Sequence, residues 1–318
     1  MSYTVSLSSI RGIMVVQVTQ EEIQKVGIVL LDTQVSLSER FRALFTLMNI
    51  GSDEAVEAIC SGFVDTSELL KHELAFCLGQ MQNKSALPKL TEVLEDVDQP
   101  VIVRHEAGEA IGAFGLMESL PLLNKYLDHS EQVLKETCQL AVERIKTVNS
   151  DCIDNCSQFS SVDPAPAFNK GKSVKELSEI LLNPEQTLFD RYRAMFSLRN
   201  MATPEAIDVL VQGLSCSSSA LFRHEVAYVL GQMADTHAVA GLAAKLKDLS
   251  DDPMVRHEVA EAIGAIDDPK CKEILAVHLQ DQDLMVKQSC EIALDMNEHE
   301  SEGHFQYADT LEKIRSAS

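Results

Sequence analysis

Two stretches far apart in the chain are nearly the same text, and that duplication limits the possible folds more tightly than any motif. KHELAFCLGQM (Lys71–Met81) returns as RHEVAYVLGQM (Arg223–Met233), 152 residues on. VRHEAGEAIGAFG (Val103–Gly115) returns as VRHEVAEAIGAID (Val255–Asp267) at the same offset of 152. RFRALFTLMN (Arg40–Asn49) matches RYRAMFSLRN (Arg191–Asn200) at 151, while Lys135 and Cys138 match Lys287 and Cys290 at 152. The chain therefore holds two homologous halves that differ by one inserted residue near Ser215 to Ala220.

A shorter period lies inside each half, since His72 to His105 and His224 to His257 are both 33 residues. Each unit reads as an amphipathic helix, a polar turn and a second helix, as in ALPKLTEVLED, VDQP and VIVRHEAGEAIGAFG. Asp53, Ser67 and Asp268 sit where helix N-caps are expected. The expected fold is all-α: a HEAT-like helical-hairpin solenoid of eight repeats in two pseudo-symmetric halves, its core buried by stacking of neighbours. Units begin near residues 21, 53, 85 and 117, then 173, 205, 237 and 269. Residues 1–20 read as an N-terminal extension, 21–148 and 173–298 as the halves, 149–172 as a polar mobile linker and 299–318 as a tail.

Four of the nine histidines share one context, Arg/Lys-His-Glu at the start of a unit's second helix: His72-Glu73, His105-Glu106, His224-Glu225 and His257-Glu258. One such pair alone reads as a solvated polar face. The repeat supplies a control, because the equivalent places in outer units hold Arg40-Phe41, Arg191-Tyr192, Glu136-Thr137 and Gln288-Ser289. The scaffold does not need His-Glu to fold, and only the two central units of each half carry it, which points to chemistry. Adjacent helical positions diverge by about 100°, so His and Glu can border one cavity. If the halves face each other about a pseudo-twofold axis, all four pairs converge.

Mixed nitrogen and oxygen ligands suit iron, manganese or zinc. Two histidines and one glutamate per ion leave open positions, the facial pattern of non-haem iron oxygenases. Two ions about 3.5–4 Å apart would form a bridged pair. The four glutamates look alike in this pattern. Three readings stay open at this point: an oxygenase, a zinc or manganese hydrolase on the same ligands, and a binding scaffold without metal. Glu109 and Glu261, one turn after His105 and His257, read first as surface salt-bridge partners and after that as ligands, acceptors behind the ligands or cavity acids. Lys71, Arg104, Arg223 and Arg256 read as partners of neighbouring acids, and the glycines of the Leu-Gly-Gln-Met and Ile-Gly-Ala runs as sites of close helix packing. His299-Glu300 with His304 resembles a metalloprotease motif, but its spacing is one residue too long for adjacent turns.

A net charge of -22 argues against nucleic acid and fits either plain solubility, the first reading, or a cationic, polyamine-like or Lys-rich partner. The eight cysteines are scattered without a C-x-x-C, Cys152 and Cys156 being the only close pair, so a reducing, cytoplasmic compartment is expected. The short apolar run Ile13 to Val16 is neither a cleavable leader nor a membrane span.

Eight HEAT-like units with His-Glu pairs in the central two of each half resemble the deoxyhypusine hydroxylase family over residues 21 to 298. The resemblance implies the last step of hypusine formation, hydroxylation of the deoxyhypusine side chain on a translation initiation factor by a di-iron centre (Fe2+) and molecular oxygen. Carried to matching positions, it implies that His72, His105 and Glu106 hold one iron, and His224, His257 and Glu258 the other. It implies that Glu73 and Glu225 instead bind the substrate's amines. No flavin or nicotinamide motif is visible, so an external electron donor is expected, and the chain reads as a monomer.

Overall fold

A computed structural model of the chain describes residues 18–150, 157–169, 171–301 and 307–316, and among these every regular element is helical. The first half holds four hairpins: α1 (Gln20–Leu31) with α2 (Leu37–Ile50), α3 (Asp53–Cys60) with α4 (Glu68–Met81), α5 (Leu87–Glu95) with α6 (Val101–Ala113), and α7 (Leu120–Leu123) with α8 (Gln132–Ser150). The second half repeats the plan: α9 (Val174–Leu181) with α10 (Leu188–Met201), α11 (Pro204–Gly213) with α12 (Ala220–Met233), α13 (Val239–Leu246) with α14 (Pro253–Gly264), and α15 (Pro269–His278) with α16 (Leu284–Ser301). A short α17 (Thr310–Ser316) follows. No helix of the described residues is long and apolar enough to cross a membrane.

Local chemistry sets the helix starts. Ser36, Ser52, Ser67, Thr187, Thr203 and Ser219 each accept a hydrogen bond from the backbone N–H three residues on. Such a cap stabilises a helix by about 1 kcal/mol. Thr19 and Ser173 complete capping boxes with Glu22 and Glu176. Ser67 and Asp268 cap as expected, whereas Asp53 is already helical and Ser52 caps α3 in its place.

The two helices of a hairpin have different surroundings. The outer helix α3 buries only Ala55, Val56 and Ile59, one stripe against its partner. The inner helix α4 is buried continuously from Leu69 to Gly79, because neighbouring inner helices, its own outer helix and the opposite half all press on it. Glycine makes the inner layer tight. A Cβ on Gly79, Gly112 or Gly264 would stand 2.9, 2.6 and 2.5 Å from the Cβ of Ala110, Ala141 and Ala293 on the next inner helix.

The basic residue ahead of each pair belongs to the scaffold. Arg40, Arg104, Arg191 and Arg256 each donate Nε–H to the carbonyl ten residues back, those of Leu30, Leu94, Leu181 and Leu246 at 2.8, 3.0, 2.8 and 3.1 Å. This satisfies an open carbonyl at the end of the outer helix. Arg40, Arg223 and Arg256 also pair with Asp65, Asp251 and Asp281, acids in the following hairpin's turn. Lys71 Nζ instead donates to Gln99 Oε1 at 2.9 Å.

The halves close on each other head to tail. Ser67 Oγ donates to Gln288 Oε1 at 3.1 Å, and Ser219 Oγ to Glu136 Oε2 at 2.7 Å. Ser67 and Ser219 are 152 residues apart, as are Glu136 and Gln288, so these are the same contact made twice across a pseudo-twofold axis.

Two segments differ from the sequence expectation. The linker is docked over its described part: Ala165 is fully buried, Val162 N–H donates to Gln80 Oε1 at 2.9 Å, and buried Arg199 grips both carboxylate oxygens of Asp163 at 2.8 and 2.6 Å. The residues after 298 do not form a simple tail either. α16 runs to Ser301, and α17 packs on α1 and α2. Arg42 pairs with Asp295 and Asp309 and lies 4.5 Å over the Tyr307 ring. Each half is thus followed by a segment that docks on the first hairpin of the other half. Charged anchors hold both segments, and no apolar periodicity announced them. Residues 1–17, Cys152, Cys156 and His304 lie outside the described residues.

Candidate metal centre

All four His-Glu pairs fall in the second turn, as fifth and sixth residues, of α4, α6, α12 and α14, the central inner helices of the two halves. Their convergence follows from stacking within a half and from the twofold closure between halves. His72 and His105 rings are 5.9 Å apart, and His224 and His257 rings 5.3 Å. Across the axis, His72 stands 5.9 Å from His224 and 5.3 Å from His257, and His105 stands 5.6 Å from His224. Residues about 150 positions apart in sequence therefore share one chamber.

Carboxylates complete the donor set. Glu106 Oε2 is 3.2 Å from His72 Nε2 and 3.4 Å from His105 Nε2. Glu258 Oε2 is 3.5 Å from His224 Nε2. His72, His105 and Glu106 offer ligand atoms within 4.8 Å of one another, as do His257, Glu258 and Glu261, and also His72, His224 and His257. The first of these groups is the triad expected for one ion. In the second half His224 reaches Glu258, while His257 turns Nδ1 toward Glu261 Oε1 at 3.5 Å. Glu73 and Glu225, the other member of each leading pair, are equally buried and line the cavity beside Glu106, Glu109 and Glu258.

The chamber's electrostatics are costly as they stand. Burial drives the imidazoles of His105 and His224 well below their ordinary range, and the facing imidazoles push the same way. Burial raises Glu106 to about 8, with the charge of Glu73 adding to it. Glu225 and Glu258 are held well above the usual carboxyl range, first by burial, then by Glu109 and Glu261 respectively. Both ring nitrogens of His72, His224 and His257, and Nε2 of His105, are buried without a hydrogen-bond partner among the described residues. An unmet buried polar atom costs about 1–3 kcal/mol. Neutral imidazole lone pairs beside carboxyl groups in a buried chamber fit metal ions, which would satisfy both at once.

Several contributors escaped the sequence pattern. Thr137 Oγ1 lies 3.0 Å from His105 Nδ1, and Ser289 Oγ donates at 3.1 Å to Glu261, which stands behind His257. Thr137 and Ser289 are the outer-unit residues that served as a control. They hold no ion position, but they orient the inner histidines. Glu261 is 1% exposed and so is no surface salt-bridge partner, and Glu109 likewise faces the cavity. The signal was available, since each acid follows its histidine by one helical turn and each hydroxyl recurs at the 152-residue offset. Phe76 and Tyr228, also a duplicated pair, stand edge to face at 6.0 Å on the cavity wall, and Val162 and Pro164 of the linker line it as well. His299, set aside in sequence, is engaged by Arg42 at 2.8 Å on the far side of the scaffold.

Models of HEAT repeats match residues 56–143 and 207–295, and a model of the PBS lyase HEAT-like repeat matches 39–65 and 190–216. Deoxyhypusine hydroxylase of Danio rerio is 50% identical over 303 residues, spanning 93% of this chain and 98% of that protein. The Homo sapiens deoxyhypusine hydroxylase is 49% identical over 301 residues, spanning 94% of this chain and 99% of its own. A solved structure of human deoxyhypusine hydroxylase in complex with glycerol superposes with a TM-score of 0.84 at 48% identity, covering 88% of this chain and 97% of that one.

Proposed function

The chain belongs to the deoxyhypusine hydroxylase family and is a monooxygenase of the hydroxylation step in hypusine formation, and on that premise we propose that it works with two iron ions and molecular oxygen on a translation initiation factor. The observation that carries this reading is the set of buried, unpartnered imidazole nitrogens contributed by both halves to one chamber. His72, His105 and Glu106 would hold one ion, and His224, His257 and Glu258 the other, with Glu73 and Glu225 left to bind amines. When bound, the iron pair supplies the redox chemistry that oxygen insertion into an unactivated C–H bond requires.

The protein's own residues do the rest. Thr137 fixes the ring of His105 from behind by a hydrogen-bond contact at Nδ1, and Glu261 stands 3.5 Å behind Nδ1 of His257. Deoxyhypusine carries two amines separated by four methylenes, and its charge suits a cavity edged by Glu73 and Glu225 in a chain of net charge -22. Phe76, Tyr228, Val162 and Pro164 offer apolar surface to the methylenes and exclude water. The overall balance is R–H + O2 + 2e⁻ + 2H⁺ → R–OH + H2O, and the two electrons come from an external donor. We place the enzyme in the cytoplasm as a monomer, in keeping with the free cysteines among the described residues.

The test is metal analysis of protein purified without chelators, together with mass spectrometry of a deoxyhypusine-bearing initiation factor after incubation with oxygen and reductant. Two irons per chain and a substrate heavier by one oxygen atom are expected. Zinc in place of iron with unmodified substrate would overturn the reading, as would metal-free protein that binds the factor without altering it.

A further inference from the structure

We propose that Tyr228 is the gate of the cavity, held shut by Gln232, and that the deoxyhypusine side chain enters when this ring swings aside; this rests on the reading above that the cavity takes that side chain. The cavity as it stands offers about 20 Å³ of open space, room for about one water molecule. That is too little for a chain of four methylenes ending in an amine, so part of the wall must move. Exposure locates the mouth. Glu73, Glu225, His72 and His224 are buried, while Gln80, Glu109, Val162 and Tyr228 are the half-exposed members of the wall. Phe76 and Tyr228 follow His72 and His224 by one helical turn on the same helix face. Their rings, one from each half, meet edge to face at 6.0 Å and so bridge the way from the mouth to the imidazoles.

The two rings are duplicates, but the latch is built on one side only. The Tyr228 hydroxyl oxygen accepts a hydrogen bond from Gln232 Nε2 at 2.9 Å. Gln232 is itself buried and fixed: its Nε2 also donates to Ser161 Oγ at 3.0 Å, and its Oε1 accepts from Arg199 Nη1 at 2.6 Å. Gln80, its counterpart 152 residues earlier, uses its amide on the linker instead, with Oε1 accepting from the Val162 N–H. Phe76 has no hydroxyl to hold, and the counterpart of Arg199 in the first half is Met48. Gln232 is thus a positioning residue that acts through Tyr228. One neutral hydrogen bond shifts an equilibrium about two- to tenfold, enough to favour the closed ring and little enough to yield to a ligand.

Tyr228→Phe gives the second half the residue of the first and removes the latch while keeping the ring. It is tested on iron-loaded enzyme kept free of oxygen, where binding is read without turnover. The deoxyhypusine-bearing factor should associate about two- to tenfold faster, and its dissociation constant should fall by the same factor, because a larger share of the molecules stands open. A hydroxyl that served as a contact to the side chain would act with the opposite sign. Gln232→Met should give the same gain, and the double variant no more than either single one, since all three lack the same bond. Iron per chain should stay at the wild-type value throughout. If Gln232→Met fails to fold, the sign of the change in Tyr228→Phe still decides. Unchanged or weaker binding in Tyr228→Phe, or gains that multiply in the double variant, overturns the assignment. Wild-type protein that holds no iron or leaves the substrate unmodified would instead sink the functional reading itself, so the two failures are told apart.

Discussion

The same helix position is filled by an aromatic ring in the first hairpin of each half and by an imidazole in the two central ones. Phe41 and Tyr192 are fully buried at the start of α2 and α10, and the Tyr192 hydroxyl is satisfied by the Leu221 carbonyl at 3.3 Å. His72 and His224 occupy the equivalent places in α4 and α12, nearly as deep, yet among the described residues their ring nitrogens have no hydrogen-bond partner. The solenoid therefore dictates burial at this position, and the central hairpins alone place polar groups there that the scaffold does not satisfy. Outer hairpins use their polar residues differently. Glu136 and Gln288 clasp the halves, and Thr137 and Ser289 serve the histidines from behind. Inner positions face the chemistry, and outer ones close the ring around it.

The largest effect should come from removing an inner ligand. His105→Ala should lose metal from its site outright, while Glu73→Ala should keep the full complement and lose substrate affinity, both read by metal analysis beside a binding titration. Full metal in both variants would erase the division of roles between the two kinds of glutamate.

A smaller effect follows from making the inner hairpins like the outer ones. His72→Phe combined with His224→Tyr gives the central units the aromatics of Phe41 and Tyr192. The double variant should bind no iron, yet after chelation it should melt several degrees above metal-free wild type. Each buried unmet imidazole costs about 1–3 kcal/mol, and a domain this large shifts by a few degrees per kcal/mol. A lower melting temperature would mean that the imidazoles are structural members of the core, and the contrast between inner and outer positions would fail.

Much of this contrast was legible before the fold. The duplication, the 33-residue period and the restriction of His-Glu to central units follow from the letters alone, because a repeat displays its own substitutions. Convergence of the pairs was legible only as a condition, since the Ser67–Gln288 and Ser219–Glu136 clasps join residues 221 and 83 positions apart. The fates of Glu109 and Glu261 were not legible. Both are an acid one turn past a histidine, and the structure separates them by what stands behind each ring, Thr137 Oγ1 at His105 Nδ1 in one half and Glu261 itself, accepting from Ser289, near His257 Nδ1 in the other. The docked linker was hidden for a related reason. A polar, Pro-containing stretch looks mobile when its order depends on one buried arginine supplied by α10.

That arginine offers the mildest way to sharpen the comparison, because it touches no ligand. Arg199 is fully buried on an outer hairpin and holds Asp163 through two hydrogen bonds, while Val162, one residue earlier, lines the chamber and is pinned by Gln80. Asp163→Asn keeps the shape but removes the charge. Charge-assisted bonds are roughly twice as strong as neutral ones, so about tenfold faster hydrogen exchange at the Val162 amide is expected. Exchange in α4 and α12 should not change, iron content should stay at the wild-type value, and KM should rise a few-fold as the cavity wall loosens. An amide at Val162 that stays protected would show that the linker is held by its apolar contacts alone. Protection lost across α4 and α12 as well would show that Arg199 supports the solenoid itself, and the division between an inner chamber and an outer frame that covers it would have to be redrawn.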